Sequence, residues 1–397
     1  MSQSETHINY ASSRRIAVVT TSRADYGHLF WPLKALSEIP GIDLRLVATA
    51  AHLTERYGNT VEQIRAEGFK VHETVPCLAP GDTDTDMART IGHAVLGFTD
   101  VLERLRPDLL LLIADRYELL APASVALALR IPMAHIEGGE ISEGAIDDAV
   151  RNALTKLAHL HFTPTEKARR RVVAMGEEPW RVHRTGAPSL DHLQKSALPG
   201  RGELQDMLGI ELKPDLIVVA YHPVTLSRDT LSEADAFYAA LEKLPQQMIF
   251  CFPNADAGSQ ALIKRSEEFC DRRENAHVYV NLPHLAFWAL LREAALMLGN
   301  SSSGIMETPA LALPTVNVGM RQAGRERAAN IIDVQADATE IVSATQRALA
   351  PDFRDRLKKD GVRNPYGDGH AAERIAEVIS DLPPAEVLLR KRAMPLV

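Results

Sequence analysis

The sequence has few cysteines and few aromatic residues, and its apolar runs are short. Aromatic residues make up 5% of the 397 residues, and Cys77, Cys251 and Cys270 lie far apart without a Cys-x-x-Cys pair. This spacing disfavours a disulfide framework or a cysteine-rich zinc site and predicts structural thiols in a reducing compartment. The longest apolar runs, such as Leu109–Ala114, have the length of a strand and are too short for a membrane span.

The chain also lacks a signal-like start and an excess of positive charge. Its first residues, MSQSETHINYASS, are polar and contain no apolar stretch of a signal peptide. With 44 lysines and arginines against 52 aspartates and glutamates, the formal net charge is -8, so anionic nucleic acids and membranes would repel it. We therefore expect a cytoplasmic protein without a nucleic-acid or membrane partner. A few arginines in a cleft would still suffice for a small phosphate-bearing ligand.

Short apolar segments alternate with longer helical patterns along the chain. Near-continuous apolar strands separated by helices indicate parallel sheets that are covered on both faces. The pattern pauses at the polar segment Gly186–Glu203 and then restarts. The sequence predicts strands over Arg15–Thr21, Leu44–Ala50, Lys70–Val75, Leu109–Ile113, Pro132–Glu137 and Leu160–Thr163, and then over Leu216–Tyr221, Met248–Phe252, His277–Val280, Leu296–Gly299 and Thr315–Val318.

This pattern predicts an α/β protein with two Rossmann-like domains whose parallel sheets face one cleft. A chain of 397 residues exceeds what one hydrophobic core usually serves. The expected domains are residues 1–188 and 189–370, followed by a helical tail, 371–397, that could cross back onto the first domain. The predicted helices include Thr85–Leu105, Tyr117–Leu129, Leu231–Leu244, Gln260–Arg272 and Tyr366–Ile379.

The serine-rich loop Gly299–Gly304 is a candidate anion site. It follows an apolar strand, its small residues would let backbone N–H groups approach an anion, and the helix expected after it would add positive charge. The hydroxyls of Ser301, Ser302 and Ser303 can donate as well. Glu307, in the expected first helical turn, could accept both hydroxyls of a ribose. The loop alone fits an ordinary serine-rich N-cap, with Glu307 as the capping partner, equally well.

The segment Thr20–Gly27 forms a second candidate, at the turn between the first strand and the first helix. This is where α/β folds bind phosphates. Arg23 is a bidentate donor suited to a diphosphate. Asp25 could reach a sugar or cap the next helix, and a plain N-cap turn fits this segment equally well.

Carboxylates follow several predicted strands of the first half. Because the carboxyl ends of parallel strands share one edge, these acids would gather there and raise one another's pKa values, as acid and base catalysts require. Any one of them alone is more often a helix cap. The candidates are Asp115, followed by Arg116; Glu137; and Asp147 and Asp148, which open a helix that runs through Arg151.

Histidines and further aspartates complete the candidates. His222 ends a predicted strand and could bind a phosphate or assist a leaving group. We expect His135, His159 and His161 to be structural, and no metal or cofactor. The run Asp82, Asp84 and Asp86 resembles a metal-binding motif but precedes a long helix, which favours a solvated first turn.

Together these segments resemble the UDP-N-acetylglucosamine 2-epimerase family, and its hydrolysing branch in particular. The resemblance runs from about Arg14 to Gly367. It rests on SRADYG at 22–27, DRYE at 115–118, HIEGGE at 135–140, IDDAVRNALTKLAHLHF at 146–162, HP at 222–223, FPNADAGS at 252–259, GNSSSG at 299–304 and GMRQAGRE at 319–326.

The resemblance implies a GT-B fold, a homodimer or homotetramer, and a set of site residues. Around UDP it implies Arg23, Arg116, His222, Asn254, Ser301, Ser302, Glu307 and Arg321, with Phe287 by the base. As acids and bases it implies Asp115, Glu137 and Asp147. We add His222 to the catalytic candidates, and Asp25, Asp148, Arg151, Ser303 and Gly304 to the substrate-binding candidates.

The implied reaction converts UDP-N-acetylglucosamine and water to N-acetylmannosamine and UDP, through a 2-acetamidoglucal, for sialic or nonulosonic acid biosynthesis. One alternative is the same reaction on a UDP-2,4-diacetamido-2,4,6-trideoxy sugar, because the segment Gly139–Asp148, with Glu143, looks more like that of bacterial relatives, some of which use such sugars. The same residues would also fit a non-hydrolysing epimerase, a GT-B glycosyltransferase or a non-catalytic nucleotide-sugar sensor.

Overall fold

The computed structural model describes residues 13–224, 233–252, 258–280 and 282–394. Within these ranges the strands form two parallel sheets. The first sheet contains β1 (Arg14–Thr20), β2 (Ile42–Thr49), β3 (Val71–Val75), β4 (Leu109–Ile113), β5 (Met133–Ile136), β6 (Leu160–Thr163) and β7 (Val182–Arg184). The second contains β8 (Ile217–Ala220), β9 (Met248–Phe252), β10 (Ala276–Val280), β11 (Leu296–Gly299), β12 (Thr315–Val318) and β13 (Ile331–Val334).

Helices connect the strands and continue after the last one. Up to β8 they are α1 (Arg23–Ser37), α2 (Val61–Ala66), α3 (Asp84–Leu105), α4 (Leu120–Leu129), α5 (Asp147–Leu157), α6 (Glu166–Ala174), α7 (Asp191–Lys195) and α8 (Arg201–Leu208). After it they are α9 (Ala234–Leu241), α10 (Ser259–Cys270), α11 (His284–Glu293), α12 (Ser303–Met306), α13 (Ala338–Leu349), α14 (Pro351–Asp360), α15 (Ala371–Ser380) and α16 (Ala385–Leu389).

Both sheets are doubly wound. The strand orders are β3-β2-β1-β4-β5-β6-β7 and β10-β9-β8-β11-β12-β13. The direction of winding therefore reverses between β1 and β4 in the first sheet and between β8 and β11 in the second. Ligands of such sheets bind in the crevice outside the carboxyl ends of the strands at these reversals. The two reversal points thus position the candidate site.

Every strand predicted from the sequence is present, and the structure adds β7 and β13. Both lie at the edge of their sheet, and both contain partly exposed residues. An edge strand is covered on fewer sides, and in strands of only three and four residues this leaves no continuous apolar run. The other edge strands, β3 and β10, have five residues each and were predicted. The helix predicted from Tyr366 begins later, at Ala371, after Gly367 and Gly369 adopt positive φ angles of 130° and 83°.

The first sheet is covered on both faces because alternate residues of its strands point to opposite sides. Leu110 and Leu112 of β4 belong to the same core cluster as Phe98 of α3. Leu111 belongs to the opposite cluster, together with Leu29 of α1 and residues of α15. The cores of the second sheet form separate clusters.

The tail that follows the second sheet packs against the first sheet. The Arg14 guanidinium donates to the carbonyl oxygen of Ile379 at 3.1 Å. Arg181 is almost fully buried and donates to the carbonyl oxygens of Leu388 and Arg390, both at 2.9 Å. Close by, Ala187 N–H donates to Tyr366 carbonyl oxygen at 2.7 Å, so the two passages of the chain between the sheets lie side by side. The domain limits at 188 and 370 stay predictions.

A buried carboxylate fastens this tail, and we expect its loss to destabilise the protein. Glu177 accepts from Lys391 Nζ at 2.7 Å, from His161 Nε2 at 3.2 Å and from Lys156. Burial would raise the pKa of Glu177, but these donors outweigh it and lower that pKa to about 2. Removing one partner of a buried charge cluster costs about 3 kcal/mol, so Glu177→Gln should lower the free energy of unfolding at pH 7 by about that amount.

The sign of the pH dependence provides the check. A carboxyl whose pKa is depressed by folding stabilises the protein above its unfolded pKa near 4.5, and this contribution is lost as pH falls towards about 2. Urea unfolding should therefore show a gap between wild type and Glu177→Gln that narrows from pH 5 to pH 3. The exposed residue Glu386 on α16 offers a control, Glu386→Gln, which should behave as wild type. A gap that is constant with pH would contradict the assignment.

Candidate active site

One cavity lies where the reversal points of the two sheets meet. It encloses about 920 Å³, counting space open to solvent. The first half of the chain contributes residues that follow β1, β4, β5 and β7, and the second half contributes residues that follow β8, β10, β11 and β12. The predicted site residues on its wall are Arg23, Asp115, Arg116, Asp147, His222, Phe287, Ser301, Ser302, Ser303, Glu307 and Arg321. Asn254 lies outside the described residues.

The serine loop is locked against the end of β8. Gly299 has a φ of 145°, and a Cβ atom there would lie 2.1 Å from the Ala220 carbonyl oxygen, so this position requires glycine. Asn300 is fully buried and exchanges two hydrogen bonds with the His222 backbone, at 2.7 and 2.9 Å. This pairing fixes His222 beside the loop, so the serine hydroxyls and His222 share one wall. Gly304 is not on that wall.

The helix after this loop is much shorter than an ordinary one, which corrects the expectation of a helix dipole. Helix α12 ends at Met306, Glu307 follows it as its C-cap, and Thr308–Leu311 form a 3-10 turn. Pro309 in that turn cannot donate a backbone hydrogen bond, so an α-helix cannot continue regularly through it. The macrodipole of so short a helix is small. Hydroxyls, backbone N–H groups and arginines would therefore have to bind an anion here.

Two arginines bring positive charge to the wall from opposite halves of the chain. Arg23 is buried at the start of α1 with its guanidinium carbon 5.8 Å from the centre of the Phe287 ring. Burial lowers the pKa of Arg23, while Cys251 and Glu307 nearby oppose that shift. Arg321 is also buried, and it donates to the Asn300 carbonyl oxygen and to Asp147, each at 3.4 Å. Both guanidinium groups are suited to a diphosphate.

Asp25 caps helix α1 and does not reach the cavity, which corrects its place among the substrate-binding candidates. Its carboxylate accepts from the backbone N–H groups of Thr21 and Ser22, both at 2.7 Å, and from the hydroxyls of Thr20, Thr21 and Ser22. With this many donors, no oxygen lone pair remains directed at a ligand. Its role is to hold the turn that carries Arg23.

Asp115 and Asp147 both lie on the cavity wall, and Arg151 supports Asp115 from behind. The Arg151 side chain is 1% exposed, contacts Asp115 directly and lies 3.6 Å from Asp148. Asp148 accepts from Ser142 N–H at 2.8 Å. Neither Asp148 nor Arg151 lines the cavity, so both differ from the substrate contacts that we expected. They orient the loop between β5 and α5.

Glu137 does not line the cavity, and His28, which was not predicted from the sequence, lies between Glu137 and the cavity. The φ of Glu137 is 66°, in the left-handed region that glutamate rarely adopts. Its carboxylate lies 2.8 Å from Nδ1 of His28, and His28 lines the cavity. Because Ala24, Gly27 and His28 have the i, i+3, i+4 spacing of one helical face, the pattern after Arg23 could have indicated His28.

Other expectations concern residues outside the cavity. His135, His159 and His161 hydrogen-bond to Ala114 carbonyl oxygen, Met133 N–H and Glu177, as structural histidines would. Asp86 completes a capping box with Thr83 at the start of α3. Among the described residues, no group of three or more histidine, cysteine or acidic side chains could hold a metal ion. No described helix is long and apolar enough to cross a membrane.

Residues 141–144 contact residues 320–325 across the cleft, and we call this contact the latch. Arg325 Nε donates to the Ile141 carbonyl oxygen at 2.9 Å, and the Glu143 N–H donates to the Ala323 carbonyl oxygen at 3.3 Å. A Cβ atom on Gly144 would lie 2.7 Å from the Arg321 Cα atom, so the backbones touch. The latch thereby brings Arg321 next to Asp147.

We expect Gly144→Ala to lower kcat/KM by about 10- to 100-fold, because a displacement near 1 Å at a reacting group has effects of this size. The added methyl group must push Arg321 away from the first half of the chain. Gly92→Ala on α3 is a matched control, since its Cβ atom meets nothing within 4 Å. Steady-state kinetics of both variants with the UDP-sugar expected from the sequence provide the measurement. An unchanged kcat/KM in Gly144→Ala would show that the latch does not constrain the site.

Two doubly wound parallel sheets around one cleft make this a GT-B-like protein. A solved structure of UDP-GlcNAc 2-epimerase from Neisseria meningitidis bound to UDP-GlcNAc matches it with a TM-score of 0.78 and 20% identity, over 93% of this chain and 100% of that chain. This likeness confirms the expected fold class.

The family follows from the sequence comparisons. The family model described as UDP-N-acetylglucosamine 2-epimerase matches residues 34–380. A Legionella pneumophila protein described as UDP-N,N'-diacetylbacillosamine 2-epimerase (hydrolyzing) is 36% identical, over 95% of this chain and 98% of its own length. A Neisseria meningitidis UDP-N-acetylglucosamine 2-epimerase is 30% identical, over 96% and 99%. The chain belongs to the UDP-N-acetylglucosamine 2-epimerase family.

Proposed function

We propose that the chain is a hydrolysing 2-epimerase of a UDP-linked 2-acetamido sugar, with UDP-N,N'-diacetylbacillosamine as its substrate. The observation that carries the reaction class is that Asp115 and Asp147 share a cavity with the serine loop, Glu307 and Arg321. The choice of sugar is supported by the 36% identity to the Legionella relative. The product, a free sugar with inverted C2, would serve nonulosonic acid biosynthesis. A cytoplasmic location and homo-oligomerisation stay predictions.

The proposed reaction begins with elimination. The proton on C2 of the sugar is a poor acid because no carbonyl is adjacent to that carbon. Cleavage of the bond from C1 to the diphosphate oxygen builds positive charge on the ring and makes this proton easier to remove. One of the carboxylates, Asp115 or Asp147, takes the proton, and the products are UDP and a 2-acetamidoglucal. Arg23, Arg321 and the serine hydroxyls would stabilise the negative charge on the departing diphosphate.

Hydration then completes the proposed reaction. The oxygen of a water molecule adds to C1. An acid delivers a proton to C2 from the face of the ring opposite to the one from which the first proton was removed, and this inverts C2. Substrate and water together give UDP and the free 2-epimeric sugar. Asp115 and Asp147 follow different strands, so two acids can approach the ring from different sides. The segment Gly139–Asp148 contributes Ser142 to the wall, and we propose that it selects the sugar.

Incubation with UDP-N,N'-diacetylbacillosamine in heavy water tests the proposal. We expect release of UDP, a free sugar with inverted C2, and deuterium at C2, all visible by NMR. Release of UDP without deuterium at C2 would exclude elimination. A product that stays attached to the nucleotide would indicate a non-hydrolysing epimerase, and turnover that requires a sugar acceptor would indicate a glycosyltransferase. Tight binding of every UDP-sugar without turnover would indicate a sensor.

UDP-N-acetylglucosamine is the second candidate substrate. It is favoured by the 30% identity to the Neisseria relative, which covers nearly the whole of both chains. The ratio of kcat/KM for the two UDP-sugars decides between them. A ratio of at least about 100 in favour of the diacetamido sugar is expected where a site is built around a second amide, because buried polar groups are left unpaired by a substrate without it.

A further inference from the structure

His28 is in contact with two carboxylates that belong to opposite halves of the chain. Its Nδ1 atom lies 2.8 Å from Glu137 Oε1, and its Nε2 atom lies 3.4 Å from Glu307 Oε1. The side chains of His28, Glu137 and Glu307 are 20%, 8% and 6% exposed. The imidazole therefore lies on the cavity wall, while both acids are nearly enclosed. His28 thus joins the acid-bearing sheet to the loop that carries the ribose candidate.

The environment of His28 favours its doubly protonated form, in which both ring nitrogens donate. Burial opposes a charged imidazole, but the negative charges and hydrogen bonds of Glu137 and Glu307 outweigh it and raise the pKa of His28 to about 10. Burial also tends to raise the pKa of Glu307, whereas His28 and Ser303 together hold it below its usual value. One cation between two enclosed anions compensates charges that would otherwise repel each other.

The backbones of the two acids approach His28 from fixed positions. The Glu137 N–H donates to the Phe162 carbonyl oxygen at 2.7 Å, which fixes it beyond the end of β5. The Glu307 N–H donates to the Ser303 carbonyl oxygen at 3.0 Å, which fixes Glu307 at the end of α12. The bond of Glu137 thus stays within the first half of the chain, and the bond of Glu307 stays within the second half. The His28 ring links the two carboxylates directly, while the Ser303 side chain also hydrogen-bonds to Glu307.

We propose that His28 is a positioning residue. Through Nε2 it orients Glu307 for the nucleotide, and through Nδ1 it holds the enclosed Glu137 against the wall on which Asp115 and Asp147 serve the sugar chemistry. The proposal rests on the proposed function for its catalytic half only. Binding of the ribose by Glu307 and orientation of Glu137 are coupled through one rigid ring. Loss of the Nε2 contact should therefore change the affinity for UDP, and loss of the Nδ1 contact should change kcat.

Asparagine and glutamine separate the two contacts, because their side-chain amides mimic one ring nitrogen each. In His28→Asn the amide nitrogen replaces Nδ1, so the contact with Glu137 is kept and that with Glu307 is lost. We expect Kd for UDP and KM to rise about 10-fold with kcat within about 3-fold. In His28→Gln the amide replaces Nε2, and we expect kcat to fall about 100-fold with Kd for UDP within about 3-fold. Both changes correspond to one hydrogen bond between charged groups.

Calorimetric titration with UDP and steady-state kinetics measure these constants, and His93→Asn and His93→Gln on α3 serve as controls. Similar losses in both His28 variants, or no loss in either, would overturn the proposal, because a merely structural histidine would not separate binding from turnover. UDP binding needs no turnover. If wild type turns over no UDP-sugar, the proposed function fails, while the contrast in UDP affinity between the two variants still decides the role of His28.

Discussion

Replacing Asp115 by asparagine is expected to lower kcat by about 1000-fold while changing Kd for UDP by less than about 3-fold. A positioned acid or base contributes an effect of this size. The carboxylate lies on the cavity wall at the end of β4, and Arg151 orients it from behind. The serine loop and Arg321, which would hold the nucleotide, come from the other sheet. Loss of the Asp115 charge should therefore affect chemistry and leave nucleotide binding intact.

The buried Arg151 makes a stability measurement necessary in this experiment. Asparagine removes the anion that Arg151 contacts, although Asp148 at 3.6 Å and the Glu140 carbonyl oxygen at 3.1 Å remain. Thermal unfolding should show a folded variant, and Asp100→Asn on the exposed side of α3 is the matched control, with wild-type kinetics expected. Asp147→Asn offers a second route to the same result. Parallel loss of UDP affinity and turnover in a folded Asp115→Asn would mean that Asp115 serves binding.

Replacing Arg321 by methionine is expected to weaken UDP binding by about 100-fold. A buried guanidinium that pairs with a diphosphate makes charge-assisted hydrogen bonds, and their loss corresponds to about 2.7 kcal/mol. Methionine keeps much of the apolar volume of the side chain and removes only its charge and donors. The reaction should slow as well, because negative charge grows on the diphosphate as the C1–O bond breaks.

Comparison of UDP with uridine isolates the electrostatic part of this effect. Wild type should bind UDP far more tightly than uridine, and Arg321→Met should lose most of that preference while its affinity for uridine stays the same. Arg347→Met on the exposed face of α13 should leave both affinities unchanged. A comparable loss of uridine binding in Arg321→Met would indicate that the substitution has rearranged the latch instead of removing a phosphate contact.

The strands and the carboxyl-end residues could be predicted from sequence, because both depend on local patterns. Inner strands such as β4 are apolar throughout, and a residue that directly follows one of them must lie at the ligand-binding edge. Asp115 and the serine loop lie on the cavity wall for this reason. The edge strands β7 and β13 were missed because they are partly exposed and only three and four residues long, whereas the five-residue edge strands β3 and β10 were predicted.

Side-chain directions could not be predicted in the same way. Asp25 and Glu137 both lie at the expected edge, yet one is turned into its own helix cap and the other is enclosed behind His28. A φ of 66° at Glu137 depends on tertiary contacts and has no marker in the local sequence. His28 was missed because it lies within α1 and not at a strand end, although its spacing from Ala24 marks the same helical face, and its partners Glu137 and Glu307 are far away in sequence.

The tail on the first sheet has a consequence for the order in which the protein folds during synthesis. Ile375 and Ile379 of α15 complete the core that contains Ile16 and Val18 of β1. Arg181 finds three of its four carbonyl acceptors at Val387, Leu388 and Arg390. The ribosome makes the first sheet before the second, but these partners follow the second sheet in the chain. The first sheet is therefore translated before the second but completed after it, and part of its core stays uncovered while the second sheet is made.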